Sequence, residues 1–231
     1  MHFDDNYIAI VPSYNSADFH SHGMLHIFLS DEAIRVKLAD RELNNSFIVL
    51  DHWIGHQVEL PLNSLFYLID PSSFLATNLR SKYLQGNEFY TSDLKLSKLM
   101  KSPNERLQIG EESREILTRL GLCHIQTNLR DERIVQLVEA IKSGELLNLE
   151  VVDIAKQMHL SASRLSHLFK AETGMNLKNY LLMMQVKQVF ILVNNGQSIT
   201  EAALNAGFYD STHLCKVVKK YTGITISDVF Q

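Results

Sequence analysis

The sequence predicts an α+β protein, in which a short-stranded antiparallel barrel or sandwich precedes a helical segment and an all-α domain. Three observations predict it. Apolar residues alternate with a period near two between about residues 19 and 69. Helical spacing takes over after Pro71. Two stretches in the last hundred residues repeat each other. A chain of 231 residues has room for one large domain or two modest ones.

The runs "MLHIFL" (24–29), "AIRVKL" (33–38), "FIVL" (47–50), "HQVEL" (56–60) and "SLFYLI" (64–69) read as strands. The pieces "SDE" (30–32), "ADRE" (39–42) and "PLNS" (61–64) between them read as turns. Strands this short and closely spaced suit an antiparallel barrel or sandwich. Beyond Pro71, "DLKLSKLM" (93–100) and "EESREILTRLGL" (111–122) have helical spacing, and Gly121 suits the end of the second helix. Residues 122–130 read as a linker. From Asp131 the chain reads as almost entirely helical. Apolar residues at 134, 137, 138 and 141 share one helical face, with a stop at Gly144.

Composition excludes several classes. The two cysteines, Cys123 and Cys215, are too few for a disulfide scaffold and fit a reducing compartment. The amino terminus lacks the basic flank and apolar run of a signal peptide. The most apolar stretch, "YLLMMQVKQVFILV" (180–193), is shorter than the roughly 20 residues that span a bilayer, and Lys187 interrupts it. It reads as a buried helix. These features together predict a cytoplasmic protein with no membrane partner. The net charge of −4 is uneven: residues 1–127 carry −5 and residues 128–231 carry +1. A nucleic-acid-binding surface in the second half would have to concentrate its positive charge locally.

Set "SASRLSHLFKAETG" (161–174) above "DSTHLCKVVKKYTG" (210–223), and they align without a gap at an offset of 49 residues. Ser161 falls on Asp210, Leu165 on Leu214, Lys170 on Lys219 and Gly174 on Gly223. Ser and Asp are N-caps, the apolar positions form a buried stripe, and the glycines suit left-handed C-caps. Each stretch follows a short amphipathic helix, in which Ala155 or Ala203 permits close helix packing. Gly207 and Phe208 read as turn and core. This is the layout of two helix-turn-helix units joined by one long helix. Such a pair can place both second helices in successive major grooves about 34 Å apart.

Residues 131–228 resemble the DNA-binding domain of the AraC/XylS family of transcription regulators. The resemblance rests on "DIA" (153–155), S-x-x-x-L-x-x-L-F-K (161–170), "SITEAA" (198–203), "GF" (207–208), "KK" (219–220) and "TGIT" (222–225). The chain departs from the family at Gln185, Val189, Leu214, Val218 and Ile226, where Arg, Ala, Phe, Phe and Pro are usual. The resemblance implies that Ser163, Ser166 and His167, with Ser211, Thr212 and Lys216, face base edges. Arg164, Lys170, Lys219 and Lys220 would neutralise phosphates. The small Ser and Thr readers predict modest sequence specificity, or heavy use of water and DNA shape. Solvated lysines on an exposed helix face are the bland alternative.

In the first half, His20, His22 and His26 stand in "FHSHGMLHIF", and His56 in "WIGHQVEL". On a continuous strand the first three would share a face. Their H-x-H-x3-H spacing with a distant His resembles the metal-binding pattern of cupin barrels, with His where Glu is usual. Three or four converging imidazoles suit a divalent transition metal. Hydrogen-bonded histidines lining a ligand-binding barrel mouth are the alternative.

The resemblance therefore implies a cupin-like sensory barrel at 1–90, a helical dimerisation segment and linker at 91–127, and a double helix-turn-helix domain at 128–231. The implied protein is a homodimeric, non-enzymatic regulator that binds double-stranded DNA, works with RNA polymerase and senses a small-molecule effector. Activation is the family's commoner outcome. Two other readings stand beside it: a small metal-dependent cupin enzyme with a helical appendage, and a heterodimerising regulator that has lost DNA binding.

Overall fold

The computed structural model describes residues 1–13, 16–101, 109–122 and 131–230. Cys123 and nearly all of the expected linker at 122–130 lie outside the described residues. The chain forms two compact units, Met1–Thr127 with Lys219–Gln231, and Asn128–Val218.

Among the described residues, the first unit is built on eight strands: β1 (His2–Phe3), β2 (Tyr7–Ile10), β3 (Ser16–His20), β4 (Leu25–Lys37), β5 (Glu42–Leu50), β6 (His56–Glu59), β7 (Leu65–Ile69) and β8 (Phe89–Ser92). All pairings are antiparallel. The main path runs β1-β2-β7-β4-β5-β8, and β6 joins β4 to β3. Strand β4 turns the corner. Its first part, Leu25–Leu29, pairs with β7, and its last part, Arg35–Lys37, pairs with β6. Its register against β5 shifts between Leu29 and Ile34. "SDE" is therefore not a turn: it lies in a bulged, continuous 13-residue strand. A bulge bends one strand so that it can serve two sheet directions. Composition alone cannot tell that bend from a chain reversal.

Alternation along the strands sorts side chains into two apolar clusters. Leu25, Ile27, Leu29, Phe47, Val49, Leu65, Tyr67 and Ile69 face one side. Phe28, Ile34, Val36, Ile48, Leu50, Val58 and Phe66 face the other. The first side is covered by α1 (Phe74–Leu79), a π-helical turn at Arg80–Leu84, and α2 (Ile109–Arg119). Buried Tyr67 donates its hydroxyl to the Ser113 carbonyl of α2, at 3.0 Å. With both faces covered, strands such as "YIAI" (7–10) are wholly buried and show no polar alternation. That is why β2 was not legible as a half-exposed strand. "DLKLSKLM" holds a single 3-10 turn, Leu96–Lys98, rather than a helix. Its Leu96 and Leu99 are drawn into the core. α2 ends where expected, at Gly121 with φ 69°.

The second unit is helical. It contains α3 (Glu132–Lys142), α4 (Val151–Gln157), α5 (Ala162–Thr173), α6 (Leu177–Asn194) and α7 (Ile199–Asn205). α8 (Ser211–Thr222) begins in this unit, and its last residues, from Lys219, group with the first. α9 (Ile226–Val229) follows. Ile134, Leu137, Val138 and Ile141 of α3 are buried, as their spacing requires. The apolar α6 buries residues around much of its circumference, including Tyr180, Leu181, Met184, Val189 and Phe190. No described helix is long and apolar enough to cross a membrane.

Candidate nucleic-acid interface and histidine cluster

The repeat has its expected local geometry. Ser161 caps α5, its hydroxyl accepting from the Arg164 amide at 3.2 Å. Asp210 does the same for α8, accepting from the His213 amide at 2.6 Å. Both helices end at a left-handed glycine, Gly174 (φ 76°) and Gly223 (φ 68°). Leu165 and Phe169 of α5, and Leu214 and Val218 of α8, are fully buried. The buried stripes fix which faces look outward. Ser163, Arg164, His167 and Lys170 are exposed on α5, and Ser166 is half-buried. Thr212, Lys216, Lys219 and Lys220 are exposed on α8, and Ser211 is half-buried. Arg164, Lys170, Lys216 and Lys220 make no ion pair among the described residues.

The preceding helices α4 and α7 are also equivalent, but at an offset of 48. Leu160 donates its amide to the Ala155 carbonyl at 2.9 Å, and Phe208 donates to the Ala203 carbonyl at 2.9 Å. His159 and Gly207 occupy the same left-handed turn position, with φ 54° and 89°. The second turn is thus one residue longer. The extra residue is Tyr209, 87% exposed beside the start of α8. Sequence reasoning missed Tyr209 because it aligned only the second helices; the change of offset between α4–α7 and α5–α8 is the signal that finds it. A Cβ at Gly207 would press on the side chains of Asn148 and Gln185. Gln185, where the family usually has Arg, donates to the Leu147 carbonyl at 2.8 Å.

Lys219 is placed differently from its counterpart Lys170. Its ammonium pairs with Asp18 at 2.5 Å and donates to the Gly223 carbonyl at 2.8 Å. The Asp18 amide donates to the same Gly223 carbonyl at 2.9 Å. Ile224 is buried in the barrel cluster with Phe28, Val58 and Phe66.

In the barrel, His20 of β3 sits directly across from His56 of β6, and His26 comes from β4. Ring centroids lie 4.3 Å apart for His20–His56 and 4.5 Å for His26–His56. One nitrogen from each of these three rings lies within 4.8 Å of the others. His22 packs beside them, 4.6 Å from His26 by ring centroid, but its Nδ1 accepts from the Met24 amide at 3.1 Å. The strand ends at His20, so a loop, rather than strand parity, brings His22 alongside. All four histidines are buried. Burial pushes the pKa of His22 and His26 well below the usual imidazole range and that of His56 down to about 4. His52 is held apart: its ring pairs with Asp51, which also binds Arg80 at 2.9 Å. Burial alone would raise the Asp51 carboxyl, but the hydrogen bonds from His52 and Arg80 outweigh it and hold it at about 2.

The helix-turn-helix domain family matches residues 154–231. The Msm operon regulatory protein of Streptococcus mutans is 31% identical over 128 residues, covering 53% of this chain and 46% of that protein. The arabinose operon regulatory protein of Escherichia coli is 30% identical over 82 residues, covering 35% of this chain and 28% of its own. The chain thus spans about half of the first relative and less of the second. The last third of the chain carries a helix-turn-helix domain, and the chain is similar to these two operon regulatory proteins. The fold is similar to that of solved structures of ToxT. Apo ToxT of Vibrio cholerae matches with a TM-score of 0.58 at 14% identity, covering 96% of each chain. ToxT solved with a bound unsaturated fatty acid matches with a TM-score of 0.54 at 12% identity, covering 97% of this chain.

Proposed function

We propose that this AraC/XylS-type chain is a transcription regulator whose helices α5 and α8 read two successive major-groove segments of double-stranded DNA. The observation that carries it is the duplication itself. Two capped helices with the same buried stripe each present hydroxyl, imidazole and cationic groups outward. Ser163, Ser166, His167, Ser211, Thr212 and Lys216 face base edges. Arg164, Lys170 and Lys220 face phosphates, whose charge favours association at low salt, and Lys219 contributes less because Asp18 holds it. Tyr209 joins them at the start of α8, where an exposed aromatic ring can pack on sugar or base.

In this reading the barrel senses a small effector. The unsaturated fatty acid bound in a ToxT structure supports the principle that a protein of this fold takes up a small ligand. A ligand acts only by binding DNA-competent and DNA-incompetent states with different affinity. RNA polymerase as partner, homodimerisation through the α2 region and a cytoplasmic setting complete the proposal. Regulation here needs no catalytic step.

The test is selection of fragmented source-genome DNA by the purified chain at near-physiological salt, followed by sequencing. Enrichment of promoter-proximal fragments with half-sites about one helical turn apart is expected. In the recovered site, His167→Ala should alter base preference at one position rather than weaken all sequences equally. Binding to all DNA alike, with an unchanged preference in that variant, would overturn the reading role.

A further inference from the structure

We propose that His20, His26 and His56 form a three-imidazole binding site for a first-row divalent transition metal, of which Zn2+ is the natural probe. The site stands on the barrel alone and does not depend on the DNA-reading proposal.

Three features of the geometry argue for it. The first is convergence. Strands β3, β4 and β6 bring one nitrogen from each ring within 4.8 Å of the others, among side chains that are 8%, 3% and 1% exposed. Tetrahedral ligation at about 2.0–2.1 Å would draw the nitrogens to about 3.3 Å apart, a closure within the reach of small ring shifts.

The second is tautomer control. His20 Nδ1 lies 2.7 Å from the Asp18 carbonyl, and His56 Nδ1 lies 2.9 Å from the Ile54 carbonyl. A carbonyl only accepts, so each Nδ1 carries the proton. Each Nε2 is then left with its lone pair. Donation of one ring nitrogen to a backbone carbonyl while the other ligates is the arrangement that orients histidines at metal centres.

The third is the orphaned atoms. His56 Nε2 and His26 Nδ1 are buried and have no hydrogen-bond partner. A buried polar atom left unpaired costs about 1–3 kcal/mol, so two in one cluster call for a partner. A bond from His26 Nδ1–H to the His56 Nε2 lone pair would satisfy both atoms, but the two rings do not make it. A cation that accepts one lone pair from each of the three rings satisfies both orphaned atoms at once. The same burial that lowers their pKa values keeps the rings neutral, the state a metal requires. Three nitrogen ligands leave a fourth position for water or an exogenous donor. His22 lies beside the site, but its Nδ1 is committed to the Met24 amide.

The experiment uses the full chain, freed of metal by a chelator and titrated with Co2+ as a spectroscopic probe. The expected result is a d–d absorption of tetrahedral intensity that saturates near one equivalent and is bleached by Zn2+. His26→Gln and His56→Gln should each weaken binding by more than the roughly 10–100-fold that loss of a supporting hydrogen bond costs. His22→Gln should keep the one-to-one stoichiometry. Thermal unfolding of each apo variant verifies folding, and Zn2+ should raise the midpoint of the parent chain and of His22→Gln only. A folded parent chain with no such absorption and no Zn2+-dependent midpoint would overturn the site. So would equal Zn2+ effects in the parent and His26→Gln, which would assign binding to other histidines.

Discussion

The two helix-turn-helix units share a template but not a setting. α4–α5 and α7–α8 agree in caps, buried stripe and glycine stop, yet the second turn holds one residue more and its lysine at 219 is already paired. In the first unit Lys170 is exposed and Arg164 makes no ion pair among the described residues. In the second, Lys219 is held by Asp18 and Gly223. The difference teaches that the scaffold is set by capping and periodicity, whereas availability of charge is set by what lies around the helix.

The largest effect that sharpens this comparison comes from neighbours in the longer turn. Phe208 is buried and Tyr209 is 87% exposed. Phe208→Ala should cost about 3–5 kcal/mol of stability. Tyr209→Ala should stay within about 0.5 kcal/mol. Denaturant titration measures both, and comparable losses would mean that Tyr209 is a packing residue rather than an inserted surface one.

Next come the equivalent turn positions, which should respond with opposite signs. Gly207→Ala places a Cβ in a left-handed conformation and should cost about 1–2 kcal/mol. His159→Gly relieves the same conformation and should be neutral or stabilise by up to about 1 kcal/mol. If both substitutions destabilise equally, the side chain of His159 contributes packing that its turn geometry does not reveal.

The caps should respond alike. Ser161→Ala and Asp210→Ala each remove one amide acceptor and should cost about 1 kcal/mol, seen as similar drops in midpoint. A much larger loss for one would break the equivalence of the two helices.

The smallest effect concerns charge. Lys216→Ala should lower the salt slope of DNA binding by about one. Lys219→Ala should lower it by less, because Asp18 already neutralises that ammonium. Removing Asp18 as well as Lys219 should give the same slope as removing Lys219 alone, while Asp18→Ala by itself should raise affinity at low salt. A full reduction of about one for Lys219→Ala would show that the ion pair opens on DNA.

Much of the helical half was legible because its determinants are local. A capping side chain, a spacing of three and four, and a glycine that tolerates positive φ act within a few residues, so Ser161, Asp210, Gly174 and Gly223 announced their helices. Tyr209 was missed because an insertion shows only when both helices of each unit are compared. In the barrel, "SDE" was misread because a bulge and a turn use the same polar residues. β2 and β8 gave no clear alternation because burial depends on what covers each face. Strand parity did not place His22, because β3 ends at His20 and a loop carries His22 alongside; a later strand does bring His56 opposite His20.

The sequence by itself determined the duplicated helical pairs, their caps and the alternation of the central strands, since each follows from interactions between residues close along the chain. Only the tertiary structure decided which three histidines converge, that two of them, His26 and His56, keep an orphaned buried nitrogen, and that Lys219 meets Asp18. Those facts join residues tens to hundreds of positions apart, and nothing in local propensity encodes such pairings. They arise when strand register, a bulge and the packing of two apolar faces bring distant segments to the same place.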